Sequence, residues 1–475
     1  MPVPPLGSAS TELLRARNTN ADFTLRSFLD QVEAQDPAAL WRVGQPIGLE
    51  HDATAVAMEL ERRGRSPVLW FDRIGQSRFP VVANLFGRRE RFALGLGVPA
   101  SELIRRWGEY GDRRLAPVLR DTGPVRDVIM QGDEVDLAKL PIMLHFECDA
   151  GPYITNGIVI AKDPDTGVRN ASFHRMQVNG RNRLGTSLHS RRDLWNYAQR
   201  AEERGEDIPV AIVIGAHPTF TFGGLWKGPI ATDEYDVIGG MMGVPLEIGA
   251  GLTVPVEHPL HAEIVLEGRI LARAREPEGP FAEFTGYASA RSTQHVIEVS
   301  AILHRQDALY HDIIPGISDE HTLLLAVPQE ARLLRTLHDH YPGVVDVAYP
   351  KSGTCRLHAY IAVRRPAPGL ARLVAAAALG DDLSLKLVVV VDDDVDVHND
   401  SDVLWAMATR MQAHEDIDVL RNAMGAILDP SNNNGLTDKM IVDATRPAGA
   451  FPSRHTLDKA ALARAQALIA DKYGS

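Results

Sequence analysis

Three stretches of the chain combine residue types that could carry acid–base or cation-binding chemistry. They are Asn170-Ala-Ser-Phe-His-Arg175-Met-Gln-Val178 with His189 beyond it, Gly243-Val-Pro-Leu-Glu247-Ile248, and Arg275-Glu-Pro-Glu278-Gly-Pro-Phe-Ala-Glu283-Phe-Thr-Gly286-Tyr287. In the last, Gly279 and Pro280 enforce a turn, so Glu278 and Glu283 lie on a tight connection rather than a helix. Two carboxylates held close and shielded from water cannot easily ionise together, which leaves one proton donor at neutral pH. A solvent-facing acidic turn is the other reading of the same residues. Asn170, His189 and Glu247 offer an amide oxygen, an imidazole nitrogen and a carboxylate, a mixture that suits Mn²⁺ or Mg²⁺ better than zinc. A lone His and a lone Glu are otherwise surface or hydrogen-bonded core residues. Arg175 stands mid-strand, where a buried guanidinium needs a carboxylate or phosphate partner. A neighbouring Asp and a substrate carboxylate meet that need equally.

These residues need a scaffold, and the hydrophobic pattern predicts three parts. Leu25, Phe28, Leu29 and Val32 fall at helical spacing, and residues 54–63 form a second helix. Strands at 68–71 and 81–85 follow, then a helix capped by Ser101 and running through Trp107. Residues 121–136 read as a polar linker. From residue 154 strands alternate with turns: 157–161, a turn at 163–167, a returning strand at 169–178, then 210–214, 246–248, 262–266 and 295–302. Helices near 193–204 and 233–242 interrupt them, so the expected form is a partly open β-barrel with helical insertions. After residue 319 the α/β pattern returns, with helices at 330–341 and 370–379 and strands at 344–348 and 357–363. Residues 387–391 are all Leu or Val, as in a parallel strand buried on both faces. That run ends in Asp392-Asp-Asp-Val-Asp396 before a helix opened by Ser401. Acidic residues there are either functional groups at a strand's carboxyl end or a solvated cap.

Size and charge narrow the function. The chain has 475 residues, too many for one core. Apolar residues make up 45% and charged residues 24%, as in an ordinary globular protein. A net charge of −12 argues against nucleic acid as a main partner, though a local basic pocket for an anionic cofactor is compatible with it. Cys148 and Cys355 are too few for a disulfide framework and are expected to be reduced core residues of a cytoplasmic protein. No apolar run is long enough to span a membrane, and no secretion signal is visible.

Several motifs together are more specific than any one. Thr155-Asn-Gly-Ile-Val-Ile, Asp163-Pro-Asp-Thr-Gly-Val-Arg-Asn170, Arg175-Met-Gln-Val178, Glu278-Gly-Pro-Phe-Ala-Glu283-Phe-Thr-Gly-Tyr287, Ile317-Ser-Asp-Glu-His-Thr322, Val391-Asp-Asp-Asp-Val-Asp396 and Leu404-Trp-Ala-Met-Ala-Thr-Arg410 occur in order across roughly residues 120–445. This set resembles the UbiD family of reversible decarboxylases. The resemblance implies a multi-domain α/β fold: an N-terminal α/β domain (1–120), a central split β-barrel of the flavin-reductase kind (121–318), and a C-terminal α/β domain (319–475). The last would join a homodimer or higher homo-oligomer through its terminal helix, residues 456–470, whose Ala460, Leu462, Ala465, Leu468 and Ile469 form an apolar stripe.

The resemblance also implies prenylated FMN, supplied by a flavin prenyltransferase, with Mn²⁺ (or Mg²⁺) on Asn170, His189 and Glu247 and K⁺ nearby. Ser172, Phe173, Arg175, Leu188 and Lys386 would complete the cofactor site. Asn170 and Arg175 are five residues apart and face opposite sides of a regular strand, so a bulge or twist is expected between them. Arg175, Glu278 and Glu283 match the family's Glu-Arg-Glu network: Arg175 orients the substrate carboxylate, Glu283 donates a proton after CO₂ leaves, and Glu278 holds Arg175. His321 would face the substrate ring. Gln329, where a relative acting on a dicarboxylate carries Arg, argues against a second carboxylate. The implied reaction is non-oxidative decarboxylation of a heteroaromatic monocarboxylate, indole-3- or pyrrole-2-carboxylate-like, with the substrate bonded to the modified flavin. The alternatives are a phenolic or hydroxybenzoate-type acid decarboxylase, an ordinary FMN oxidoreductase, or a non-catalytic subunit.

Overall fold

The computed structural model describes residues 23–188, 192–230, 232–364 and 367–473. Its first sheet takes the strands Leu40–Val43, Val68–Phe71, Val81–Ala83 and Tyr310–His311 in that order. The helix Leu25–Gln35 buries Leu25, Phe28, Leu29 and Val32, the stripe its spacing predicts, and Thr24 caps it by accepting from Ser27 N. Ser101 is not a cap. It lies inside a 3₁₀ turn, Ala100–Glu102, and the helix Leu103–Tyr110 starts after it.

The central sheet has nine strands and curls into a half-barrel. Along it run Tyr153–Ile154, Met176–Val178, Arg183–Thr186, Ser292–His304, Ile264–Glu278, Ile208–Ile214, Ile158–Lys162 and Arg169–Phe173. The ninth, Val128–Gln131, pairs with Ser292–His304, so the expected polar linker contributes a strand instead. The strand expected over 169–178 is two. Arg169–Phe173 pairs with Ile158–Lys162, whereas Met176–Val178 pairs with Tyr153–Ile154 and Arg183–Thr186. The chain changes partners at His174 and Arg175, and this break removes the parity conflict between Asn170 and Arg175. The long hairpin of Ile264–Glu278 and Ser292–His304 shifts register at Gly268 and between Ile270 and Arg275. A side chain at Gly268 would meet Glu298 O at 2.4 Å. The tip of this hairpin carries the paired glutamates. The helices Asp193–Arg204, Pro218–Leu225 and Glu234–Met242 pack against the sheet, the second of them not foreseen from the pattern.

The C-terminal sheet orders Val344–Ala348, His358–Val363, Leu387–Asp392, Leu436–Asp443 and Ile417–Met424. Its middle three strands are parallel, and Val388–Val391 are completely buried, as the run of apolar residues predicts. The acidic block after them is a clamp. Asp392 and Asp394 accept from the buried Arg410 at 2.8–3.0 Å. Cys355 is buried, but Cys148 is exposed, contrary to the core expectation. Among the described residues no helix is long and apolar enough to cross a membrane.

Candidate active site

Arg175 leaves the strand break pointing at the hairpin tip, and both glutamates meet it. Glu278, completely buried, accepts from Arg175 Nε at 2.9 Å and Nη2 at 3.1 Å. Glu283, 7% exposed, accepts from Nη1. Ser289 Oγ takes a further bond from Nη2 at 3.2 Å, and the guanidinium lies 5.0 Å from the centre of the Phe281 ring. Burial alone would lower the arginine's affinity for its proton. The hydrogen bonds it donates to Glu278 and the charge of Glu283 outweigh that and raise it. Arg175 is therefore a permanent cation.

A count of donors shows what remains for a ligand. Arginine has five N–H groups. Two go to Glu278, one to Glu283 and one to Ser289, so a substrate carboxylate finds a single N–H unless Glu283 moves aside. The two acids are held unequally. Glu278 takes a third bond from the buried Tyr153 hydroxyl at 3.2 Å, and that oxygen in turn accepts from Gly279 N at 3.1 Å. Burial, then the Glu278 charge, pushes the Tyr153 phenol well up, so it stays a donor. Glu283 sits on a turn braced from outside, where Asp149 accepts from Ala282 N at 2.8 Å.

Asn170 anchors a second cluster. Its amide nitrogen approaches Glu234 at 3.3 Å and Asp193 at 3.5 Å, and its oxygen accepts from Ser172 at 2.8 Å. The acid beside Asn170 is thus Glu234, not Glu247. Glu247 belongs to the small sheet Val118–Leu119, Glu247–Gly249 and His258–Pro259, and its carboxylate meets Arg120 at 3.3 Å and His261 at 2.9 Å. Sequence reasoning missed Glu234 because it opens a helix capped by Asp233, where an acidic first turn is ordinary. Burial raises the Glu234 carboxyl to about 8, and Asp193 Oδ1 is buried with no hydrogen bond. Oxygen donors with uncompensated charge fit a hard divalent cation. Among the described residues no three His, Cys, Asp or Glu side chains gather as a metal set, and His189 lies outside the described residues.

Phe173 is half-buried and packs against two core clusters, and Leu188 is buried in a third. Lys386 goes elsewhere. Asp429 at 2.8 Å and Ser431 at 2.6 Å hold its ammonium in the C-terminal region. His321, in the first turn of the helix Asp319–His340, bonds Gly316 O through Nδ1 at 2.9 Å. Burial lowers it to about 4, and the charge of Arg175 adds to that, so the imidazole is neutral. Gln329 is buried further along the helix and accepts from Arg332 at 3.3 Å, so it groups with that arginine rather than with His321.

Fold and site together define a class. Residues 34–110, 117–318 and 322–444 match the N-terminal, Rift-related and C-terminal domains of 3-octaprenyl-4-hydroxybenzoate carboxy-lyase. The chain therefore belongs to the UbiD family and is a carboxy-lyase. It is 36% identical over 428 residues to the anhydromevalonate phosphate decarboxylase of Methanothermobacter thermautotrophicus, an alignment that covers 89% of this chain and 97% of that protein. The UbiD-class enzyme HmfF from Pelotomaculum thermopropionicum, in complex with FMN, superposes with a TM-score of 0.87 at 37% identity, covering 91% of this chain and 97% of that one. An evolved dimeric form of HmfF in complex with prenylated FMN gives 0.84 at 34%, covering 92% and 99%.

Proposed function

We propose that the chain removes CO₂ from a heteroaromatic monocarboxylic acid of the pyrrole-2- or indole-3-carboxylate kind, using prenylated FMN with Mn²⁺ and K⁺. The observation that carries this reading is the half-buried Arg175 clasped between the buried Glu278 and Glu283. When bound, the modified flavin supplies the electron sink that the plane of an aromatic ring lacks. Arg175 orients the carboxylate with the N–H it has free and the one that Glu283 gives up. Glu278, tied by two bonds to Arg175 and one to Tyr153, fixes the plane of the guanidinium. Glu283, on its turn, carries the proton that reaches the ring carbon after CO₂ has left. Neutral His321 is an uncharged neighbour for a ring.

Asn170, His189 and Glu234, with Asp193 beside them, would hold the metal, and Ser172, Phe173 and Leu188 would line the flavin. We read the curled sheet as a split barrel of the flavin-reductase kind, and we keep the division at 120 and 318. Two unpaired cysteines accord with a cytoplasmic setting. A homodimer formed through the C-terminal region accounts for the helix Lys459–Tyr473, where Leu462, Leu468 and Ile469 are exposed in the single chain.

The test uses protein made together with a flavin prenyltransferase and measures CO₂ release from a panel of ring acids. Preference for pyrrole or indole monoacids is expected. Preference for diacids or phenolic acids overturns the substrate reading, and no CO₂ from any aromatic acid overturns the reaction.

A further inference from the structure

The N-terminal part of the fold holds a cavity of about 920 Å³ whose lining includes none of the residues that hold Arg175 or Asn170. It lies among the helix Leu25–Gln35, the strand Leu40–Val43 and the helices Asp52–Arg62 and Arg89–Leu96. Val32, Leu60 and Leu94 give it an apolar wall, and Trp41, 43% exposed, stands beside them. Arg91, on the last of these helices, also lines it and is only 5% exposed.

Arg91 differs from the other arginines buried among the described residues in lacking a carboxylate. Arg106 pairs with Glu102 and Glu109, and Arg410 pairs with Asp392 and Asp394. Arg91 donates only to Ser66, from Nη2 to the backbone oxygen at 2.8 Å and to the hydroxyl at 3.4 Å. Its Nε is buried with no acceptor, and Nη1 has no hydrogen-bond partner among the described residues. Burial outweighs the charge of Glu320 and lowers the guanidinium to about 10. A cation held out of water is costly unless an anion joins it, and a guanidinium fork matches a carboxylate.

The other charges around the cavity narrow the kind of anion. Arg65, Arg88, Asp36 and Glu90 are exposed along it, and their charges cancel. Asp36 is also occupied, accepting from Ala38 N at 2.9 Å. Arg91 is therefore the one positive charge left over, set beside an apolar wall. A phosphate monoester would bring close to two negative charges, whereas a carboxylate brings one.

We propose that this cavity is a second binding site, for a small organic monocarboxylate whose head pairs with Arg91 and whose apolar body lies on Val32, Leu60 and Leu94. The site is joined to the decarboxylation centre by hydrogen bonds. Ser66 Oγ, next to the guanidinium, accepts from Asn84 Nδ2 at 3.0 Å, and Asn84 N donates at 2.9 Å to Glu320, the residue before His321. A bound acid would thus sit one short chain of contacts away from the helix Asp319–His340.

The experiment is calorimetric titration of the full-length protein with cyclohexanecarboxylate, a saturated acid that offers no aromatic carbon for turnover. Cyclohexylmethanol, acetate and inorganic phosphate serve as comparisons. The wild type should bind cyclohexanecarboxylate at least about tenfold more tightly than any of the three, because only it supplies both one charge and an apolar body. Arg91→Met should weaken that binding by about tenfold or more and, without ligand, should melt no lower than the wild type, since it removes a buried charge that lacks an anion. Trp41→Glu, at an exposed position on the cavity, leaves Arg91 in place and should weaken binding as well, by placing a like charge beside the acid. Cyclohexanecarboxylate should raise the melting temperature of the wild type and leave that of Arg91→Met unchanged. No binding by the wild type, or binding that survives both substitutions, overturns the proposal. Equal binding of cyclohexylmethanol shows that the charge is not read, and equal or tighter binding of phosphate shows that the anion is of another kind; either result overturns the assignment. A fall in the melting temperature of Arg91→Met with Trp41→Glu binding the acid normally makes Arg91 a structural residue and overturns it too.

Discussion

Glu278→Gln and Glu283→Gln remove the same charge from the same arginine, yet the geometry predicts opposite outcomes. Glu278 is completely buried and accepts three hydrogen bonds, two from Arg175 and one from Tyr153. A glutamine there keeps one oxygen but turns an amide N–H₂ toward a donor. Breaking a buried ion pair costs about 3–5 kcal/mol. Arg175 retains Glu283 and Ser289, so we expect about 3 kcal/mol of lost stability, the lower end of that range. Glu283 makes one contact with Arg175 from a turn at the edge of the site, and glutamine preserves that oxygen, so its stability change should stay within about 1 kcal/mol. Turnover should reverse the order. Glu283→Gln deletes the proton donor and should lower kcat by about 10²–10⁴-fold with flavin still bound. Denaturant midpoints, flavin absorbance and CO₂ release on the two variants make the comparison. A Glu283→Gln protein that is as destabilised as Glu278→Gln, or that keeps more than about a tenth of wild-type turnover, refutes the division of roles.

Three further outcomes follow from the same geometry. Tyr153→Phe removes one donor to Glu278 while Gln177 still accepts from Gly279 N at 3.0 Å, so we expect about 1.5 kcal/mol in stability and roughly tenfold in kcat, read from melting and steady-state rates. Glu234→Gln should strip Mn²⁺ from the purified protein and Glu247→Gln should leave it, as measured by elemental analysis. Burial lowers His295 to about 4, His311 to about 3 and His321 to about 4, so the folded chain takes up protons on them only at lower pH than the unfolded chain does. Their stabilisation is complete above the unfolded value of about 6.5 and is lost as pH falls from there toward 4, about 2 kcal/mol each at pH 5. Urea midpoints that stay flat from pH 7 to pH 5 contradict this.

The hairpin tip was legible because Gly279 and Pro280 leave the chain little choice but to turn, which places Glu278 and Glu283 on one loop. The partner of Arg175 was legible only through the family resemblance and not from spacing, since two sheet partners meet at His174 and no local pattern announces a strand that changes neighbours. Glu234 was hidden by its position in the first helical turn, while Glu247 looked isolated and available until Arg120 and His261 proved to flank it. Pro328 had a similar effect: the helical pattern seemed to begin after it, yet the helix Asp319–His340 runs through the proline from a cap at Ser318. Long-range pairing decided each of these, and spacing along the chain does not encode it.

That helix has a consequence for how the enzyme's substrate range can change. Its second residue, Glu320, accepts backbone N–H bonds from Asn84, Phe86 and Ile314, and further along Glu330 pairs with Arg89 and accepts from Tyr349 N. The rod that presents His321 is thus pinned near its start and again at its middle, and it cannot tilt to admit a bulkier ring without unfastening those contacts. Variants selected for larger acids should therefore gather on the hairpin loop around Tyr287, which is 64% exposed, while the pinned helix keeps its residues.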